Sequence, residues 1–458
     1  MLHISKKSSI FAADFDAIAR ATYMYLYFLL IRIAALFGHK KARMLVDGQK
    51  ATLAKGRDDE WAKVHGAIWI HAASVGEFEQ ARPLIEKFKS QKSKFKIVVT
   101  FFSPSGYEAR KNYELADAVL YLPFATRRKA RKFIEALQPS MAIFVKYEFW
   151  PAYLRQLKKR NIPTYSISAI FRPTQRFFHW WGFGASSVLK CFTHIYVQDE
   201  ASRRLLAEHG IHSASVAGDT RFDRVVQIVE SQKSKDRSAD RLTPIAQFVE
   251  GADQVLVAGS TWPKDEELLE QYLKRNTDRF ADRIQNTEYG IQSAGPGTKL
   301  ILVPHEINEE HLHWIFNLFR GRVVKYSTIH AMPSNMSRLN ILRHAQVMVI
   351  DTIGLLSSIY QFGQVAYVGG GFGVGIHNTI EAAVYGVPVI FGPNYHHFRE
   401  AQGLIDAGAG RSIQNYSELE AALDTAFDQH ETIGTKAAEY VQSETGATEK
   451  IFKEICSL

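Results

Sequence analysis

An acid near one end of the chain and a run of glycines near the other carry the chemistry open to this sequence. Glu77 closes the segment Ala73-Ser74-Val75-Gly76-Glu77, which follows an apolar run and opens an amphipathic one. A carboxylate placed where a strand gives way to a helix can take a proton from an incoming hydroxyl. The positive end of the helix dipole helps to keep it ionised. The same residues spell a capping box, Ser74-x-x-Glu77, in which the acid only holds the backbone of its own helix. A carboxylate spent on a cap is not free to act as a base, so the catalytic reading requires Glu77 to turn outward.

The second region is Val365 to Pro393, where five of the seven residues from Gly369 to Gly375 are glycine. Such a loop lets the backbone approach a ligand with no Cβ in the way. A helix is expected to open near Asn378 and Thr379 and to stop at Gly386, with Pro388 just beyond. Its N-terminus suits a phosphate, and Glu381 in its first turn is placed to hold ribose hydroxyls. Asn378-x-x-Glu381 is also a capping box. No register of the run gives G-x-G-x-x-G, and no G-x-x-x-x-G-K-[ST] occurs, which excludes a dinucleotide fingerprint and a P-loop. What remains is a nucleotide-sugar type of site.

Elements that alternate along the chain must position these groups. Apolar runs at Ala67–Ala72, Lys96–Phe101, Ala118–Leu122, Met141–Val145, Thr164–Ser168 and Thr193–Val197 read as strands separated by helices. A second series follows at Gln254–Ala258, Lys299–Val303, Val323–Tyr326, Val347–Ile350, Val365–Val368 and Pro388–Phe391. This is an α/β pattern of two doubly wound, Rossmann-like domains facing a cleft, with ligands expected at the carboxyl ends of the strands. The polar stretch 231–241 suggests a linker over 231–250, dividing a first domain at 46–230 from a second at 251–458. Asn276–Gly297 reads as a loop.

The chain has 458 residues, enough for two or three cores. Its two cysteines, Cys191 and Cys456, exclude a disulfide framework and a cysteine zinc site. Residues 1–250 carry 40 Lys and Arg against 23 acids, a net of +17; residues 251–458 carry 16 against 24, a net of −8, together the +9 of the whole chain. A basic front half calls for an anionic partner, and no nucleic-acid module accompanies it. Residues 1–45 include Tyr23–Phe37, apolar and tyrosine-rich, followed by His39, Lys40, Lys41 and Arg43. Fifteen residues interrupted by Arg32 are short for a membrane span and suit an interfacial helix or a marginal membrane anchor, or else a buried helix. Arg127, Arg128, Lys129, Arg131 and Lys132 form a basic run, either a solvated face or a headgroup site. Asp14-Phe15-Asp16 is the one D-x-D, and the cluster from His305 to His313 lacks H-E-x-x-H spacing.

Eight short motifs stand in one order: Ala73–Glu77; Tyr121-Leu122-Pro123; Glu148-Phe149-Trp150-Pro151; Val216–Asp223; Gly259-Ser260-Thr261; Val303-Pro304-His305; Asp351-Thr352-Ile353-Gly354; and His377–Glu381 leading into Gly392-Pro393. In these the chain resembles the 3-deoxy-D-manno-octulosonic acid (Kdo) transferases of lipopolysaccharide synthesis, along nearly its whole length. The resemblance implies a GT-B fold, and transfer of Kdo from CMP-Kdo to a lipid A precursor at the cytoplasmic face of the inner membrane. No metal or other cofactor is implied. Glu77 matches the family's proposed general base. The implied donor side comprises Ser260, Thr261, Pro304, His305, Asp351, Thr352, Gly370, Gly371, Phe372, Gly373, His377, Asn378 and Glu381. The acceptor side comprises Ser74, Gly76, Glu148, Arg172 and Arg176.

Some positions depart from the family pattern. Lys146 stands where an acid is usual, Leu355 follows Asp351–Gly354 in place of Glu, Pro304 runs into His305 without the common Arg, and Gly375-Ile376 replaces Gly-Gly. Two other readings fit the same residues: a GT-B enzyme with another nucleotide sugar and acceptor, or a non-catalytic anionic-lipid module of this fold.

Overall fold

The computed structural model describes residues 26–55, 60–91, 95–179, 186–233, 239–285 and 297–457. The chain divides into two compact units, 1–224 with 445–458, and 225–444.

The first unit is built on a seven-stranded parallel sheet. Its strands are β1 (Ile68–His71), β2 (Ile97–Phe101), β3 (Ala118–Tyr121), β4 (Met141–Val145), β5 (Thr164–Ala169), β6 (His194–Val197) and β7 (Ala214–Val216), in the order β3-β2-β1-β4-β5-β6-β7. The strands read as continuous apolar runs because both faces are covered. Along β1 the side chains alternate between two cores: Trp69 joins Phe133, Tyr153 and Phe144 on one face, while Ile68 and Ile70 join Phe78, Leu84 and Phe88 on the other.

Three N-terminal helices belong to this unit: α1 (26–36), α2 (Lys40–Lys55) and α3 (Val75–Ser90). On α1, Phe28 is buried against Phe102 and Phe124, whereas Leu26, Leu29, Leu30, Ile33 and Leu36 are exposed. Their spacing of three and four residues puts them on one face. No described helix is long and apolar enough to cross a membrane.

The second unit repeats the architecture with β8 (Gln254–Thr261), β9 (Thr298–Pro304), β10 (Val323–Lys325), β11 (Val347–Val349), β12 (Val365–Val368), β13 (Val389–Phe391) and β14 (Gly410–Ser412), ordered β10-β11-β9-β8-β12-β13-β14. All pairings are parallel. Twelve of the fourteen strands lie within a residue or a few of the expected runs. β7 and β14 were not expected: each has three residues at a sheet edge and is only partly buried, so neither shows an apolar run.

Three expectations about organisation are corrected. Residues 239–249, inside the expected linker, form a helix whose Ile245 and Phe248 are fully buried; its polar first turn hides that apolar stripe. The expected loop at Asn276–Gly297 is helical as far as Gln285, the end of a helix begun at Pro263. Residues 445–458 belong to the first unit instead of the second. There the helix Ala447–Ser457 buries Ile451, Phe452 and Ile455 against the α3 side of the core. Asp223 fixes its start, accepting from the backbone N–H of Gly446 and Thr448 and from the Thr448 hydroxyl. Asp219, also from the Val216–Asp223 motif, accepts from Gln80 on α3 and from Arg221. That motif is a clamp between secondary elements.

Candidate active site

In the first unit the sheet order reverses between β1 and β4, and the carboxyl ends of those two strands lead into Glu77 and Glu148. Such a reversal is where open α/β sheets bind ligands. Ser74 caps α3, its Oγ accepting from the Glu77 N–H at 3.4 Å. Glu77 returns the bond, Oε2 accepting from the Ala73 N–H at 2.6 Å. Only the Ser74 half of the capping box forms as spelled, since the acid meets the N–H one residue before the cap, and it does so with a single oxygen. Among the described residues Oε1 has no partner, so the side chain caps without turning away, and the expected conflict between cap and base does not arise. Burial raises the Glu77 carboxyl above its ordinary range, with the Glu148 charge adding to it; the Ala73 N–H, His71 and Lys146 pull the other way. A carboxylate made more basic while still able to ionise is suited to proton abstraction near neutrality.

Gly76, implied for the acceptor side, is not required by the turn into α3. Gly76 is the second residue of the helix, and a Cβ there would meet nothing within 4 Å. What the missing side chain leaves is open space beside Glu77. Gly76→Ala is expected to raise stability by up to about 1 kcal/mol in thermal unfolding, and to lower turnover by occupying that space.

Glu148 Oε2 accepts from His71 Nε2 at 3.1 Å and from Trp150 Nε1 at 2.6 Å. Lys146, at the departure from the family pattern, adopts a left-handed backbone with φ of 55° at the end of β4. For a residue with a Cβ this costs about 1–3 kcal/mol and is typical of functional turns. Arg172 bonds the Tyr147 hydroxyl, next to Glu148 in sequence. Arg176 lies over the Phe177 ring at 5.6 Å.

The second sheet reverses between β8 and β12, and the glycine run follows β12. Gly370 has φ of 92°, which only glycine adopts without strain. Its carbonyl accepts from the N–H of Gly373 and Gly375, and its own N–H donates to Asp265 at 2.9 Å. Asp265 also accepts from the Trp262 N–H and the Tyr367 hydroxyl. Burial raises the Asp265 carboxyl, against those three donors. A Cβ on Gly371 would lie 2.6–2.7 Å from the backbone of Gly392, so two chain segments touch with no side chain between them.

Around this loop three rings are stacked: Trp262 on His305 with centroids 4.9 Å apart, and His305 on His377 at 4.4 Å. Burial, together with His305, lowers His377 to about 4, so the His377 ring is neutral at neutral pH. Trp262 Nε1, Thr352 Oγ1, His377 Nε2, Asn378 Oδ1 and Thr379 Oγ1 are buried and have no hydrogen-bond partner among the described residues. An unmet buried polar atom costs about 1–3 kcal/mol, and the four on Trp262, His377, Asn378 and Thr379, in the ring stack or directly after the loop, mark a place where a polar ligand completes the bonding.

Other expected donor residues are occupied otherwise. The Thr261 hydroxyl donates to Glu266, which also pairs with His311, so that part of the 305–313 cluster is an internal network. Ser260 sits at φ of 55° where the β8–β9 register shifts. Pro304 ends β9, and Phe372 packs on the second core. Asp351 accepts from the Ser327 N–H and hydroxyl. Glu381 is held by Ser357 and Asn378 rather than capping a helix. The expected helix after the loop shrinks to four residues, Ile380–Ala383, with no side-chain cap, so no helix dipole is available to a phosphate. Trp262, Asp265, Glu266, Thr379 and His71 were missed; Trp262-x-x-Asp265 at a strand-to-helix turn has the spacing of a capping box and was the available signal for two of them.

Residues 41–224 match the family model described as 3-deoxy-D-manno-octulosonic-acid transferase (kdotransferase). The 3-deoxy-D-manno-octulosonic acid transferase of Rickettsia prowazekii is 24% identical over 409 residues, covering 87% of this chain and 80% of its own length. The enzyme of the same name from Aquifex aeolicus is 24% identical over 372 residues, covering 78% and 85%. Over residues 41–224, and along the length shared with these relatives, the chain is similar to Kdo transferases. Its fold is shared with UDP-GlcNAc 2-epimerase from Neisseria meningitidis bound to UDP-GlcNAc, at a TM-score of 0.60 and 13% identity, over 86% of this chain and 100% of that one. The two Rossmann-like units are those of a GT-B protein.

Proposed function

We propose that this protein is a glycosyltransferase that takes Kdo from CMP-Kdo to a sugar hydroxyl of a lipid A precursor, releasing CMP. The observation that carries the reading is the set of unmet buried polar atoms around the Gly369–Gly375 loop, at the reversal of the second sheet. The Trp262 indole N–H, the Thr379 hydroxyl and the N–H groups of Gly371, Phe372 and Val374 are neutral donors suited to a cytidylate phosphate, and they favour the charge that grows on it as the ketosidic bond breaks, while Asn378 Oδ1 accepts from a sugar hydroxyl. Glu77 of the first unit takes the proton of the attacking hydroxyl through Oε1, while Oε2 stays on the Ala73 N–H. Incubating the protein with CMP-Kdo and tetraacylated lipid A precursor tests this: the lipid gains the mass of Kdo and CMP appears in equal amount. Transfer from a UDP- or GDP-sugar with CMP-Kdo inert would overturn it.

The acceptor is a lipid, and α1 supports work at a membrane surface, at the cytoplasmic face of the inner membrane. Its exposed stripe of Leu26, Leu29, Leu30, Ile33 and Leu36 has the form of an interfacial helix. Beside it Arg32, Lys129 and Gln49 stand round an apolar pocket floored by Phe28, Leu45 and Phe124. Burial, then Arg32, lowers the Lys129 ammonium, and Gln49 Nε2 has no partner among the described residues. An anionic headgroup with its first acyl carbons answers both needs. Leu29→Glu with Leu30→Glu is expected to abolish sedimentation with phosphatidylglycerol vesicles and to leave CMP binding unchanged.

A further inference from the structure

Behind Glu148 the first unit holds a chain of hydrogen bonds that runs in one direction. Trp69 is fully buried, and its indole N–H can only donate; it does so to Thr100 Oγ1 at 2.9 Å. The Thr100 hydroxyl then has one proton to give, and His71 Nδ1 lies 2.9 Å away. On the far side of the ring, Nε2 lies 3.1 Å from Glu148 Oε2, which Trp150 also meets at 2.6 Å.

Only one tautomer satisfies the whole chain. With its proton on Nε2, His71 accepts from Thr100 and donates to the carboxylate. With its proton on Nδ1, the ring would donate to the Thr100 carbonyl at 3.1 Å. The Thr100 hydroxyl would then lose its acceptor, and an imidazole lone pair would face a carboxylate. Phe144 and Trp150 pack against the ring at 5.8 and 5.9 Å, and His71 is completely buried, so it meets no substrate itself.

We propose that His71 is a positioning residue: held as the Nε2–H tautomer by Trp69 and Thr100, it fixes the Glu148 carboxylate beside Glu77. The inference rests on Glu77 as the base of the first unit. Glu148 Oε2 is saturated by two donors, which leaves Oε1 to meet the acceptor. The fixed negative charge also favours a more basic Glu77. Neither His71 nor Thr100 belongs to the residues implied by the family resemblance.

The test uses the full chain and two conservative changes. Thr100→Val removes the hydroxyl and keeps the shape; Thr100→Ser keeps the hydroxyl. Nitrogen-15 NMR of the imidazoles, with the His71 signals assigned by their loss in His71→Gln, reads the tautomer without any substrate. Wild type and T100S are expected to carry the proton on Nε2 alone, and T100V to lose that exclusive Nε2 signature. In the transfer assay T100V loses at least about tenfold in kcat, as for other groups that orient a reacting side chain, with the acceptor KM within about twofold; T100S restores kcat. A wild-type ring protonated on Nδ1 overturns the proposal whether or not T100V folds. So does a T100V protein that unfolds at lower temperature with kcat unchanged. Because the tautomer is read without substrate, failure of the transfer assay alone would count against Kdo transfer to the lipid and not against the relay.

Discussion

Glu77→Gln is expected to lower kcat by about 10² to 10⁴, the usual loss for a general base, while the protein folds and binds CMP as before. The substitution suits the question because the structure gives the side chain two jobs on two atoms. The Ala73 N–H needs an acceptor at Oε2, and a glutamine carbonyl supplies one. The proton of the attacking hydroxyl needs a carboxylate, and a glutamine has none. Rapid quench with CMP-Kdo and the lipid separates chemistry from binding. Normal turnover in this variant would reduce Glu77 to a helix cap. The pH profile gives a second reading. Burial and Glu148 raise Glu77, and the base acts only when ionised. Activity therefore falls as pH drops through the raised value, and the acidic limb of kcat lies above the ordinary glutamate range. Glu148→Gln removes one of the two causes, so it is expected to move that limb downward.

Gly371→Ala is expected to weaken CMP binding by more than about a hundredfold, whereas Gly373→Ala leaves it within about twofold. Both residues lie in the same loop, and both changes add one methyl group. At Gly371 the new carbon would sit 2.6–2.7 Å from three backbone atoms of Gly392; at Gly373 nothing lies nearer than 3.9 Å. Backbone cannot swing aside as a side chain does, so accommodating the first change pushes β12 from β13 or flattens the loop. An overpacked contact typically costs 1–3 kcal/mol, and here the distortion falls on the amides proposed to hold the phosphate. Calorimetric titration with CMP reads both variants. Equal affinities would mean that the loop has no part in the donor site.

Much of this was legible in the residues. β4 and β12 lie where their apolar runs stand, because strands buried on both faces declare themselves as uninterrupted hydrophobic sequence. The glycine loop and Glu77 were found because glycine density and a capping box are local patterns. The losses share a cause. β7 and β14 are too short and too exposed to show a period. His71 reads as one more residue of an apolar strand until β2 and the turn after β4 place Thr100 and Glu148 on its two nitrogens. Asp265 gains meaning only when Gly370, 105 positions later, arrives beside it. The four-residue helix after the loop shows the reverse error: Asn378 and Glu381 have the spacing of a cap, yet they bond to each other and to Ser357.

The last helix also has a consequence for how the molecule is made. Ile451, Phe452 and Ile455 complete a core whose other members were translated more than two hundred residues earlier. During synthesis the second unit has its whole sequence before the first unit has its own, because residues 445–458 follow it in the chain. A nascent chain must therefore shield the bare flank of α3 until those residues arrive. For the same reason, a separately expressed first half that ends at Arg224 lacks part of its interior, and one engineered to carry residues 445–458 on a short tether has it.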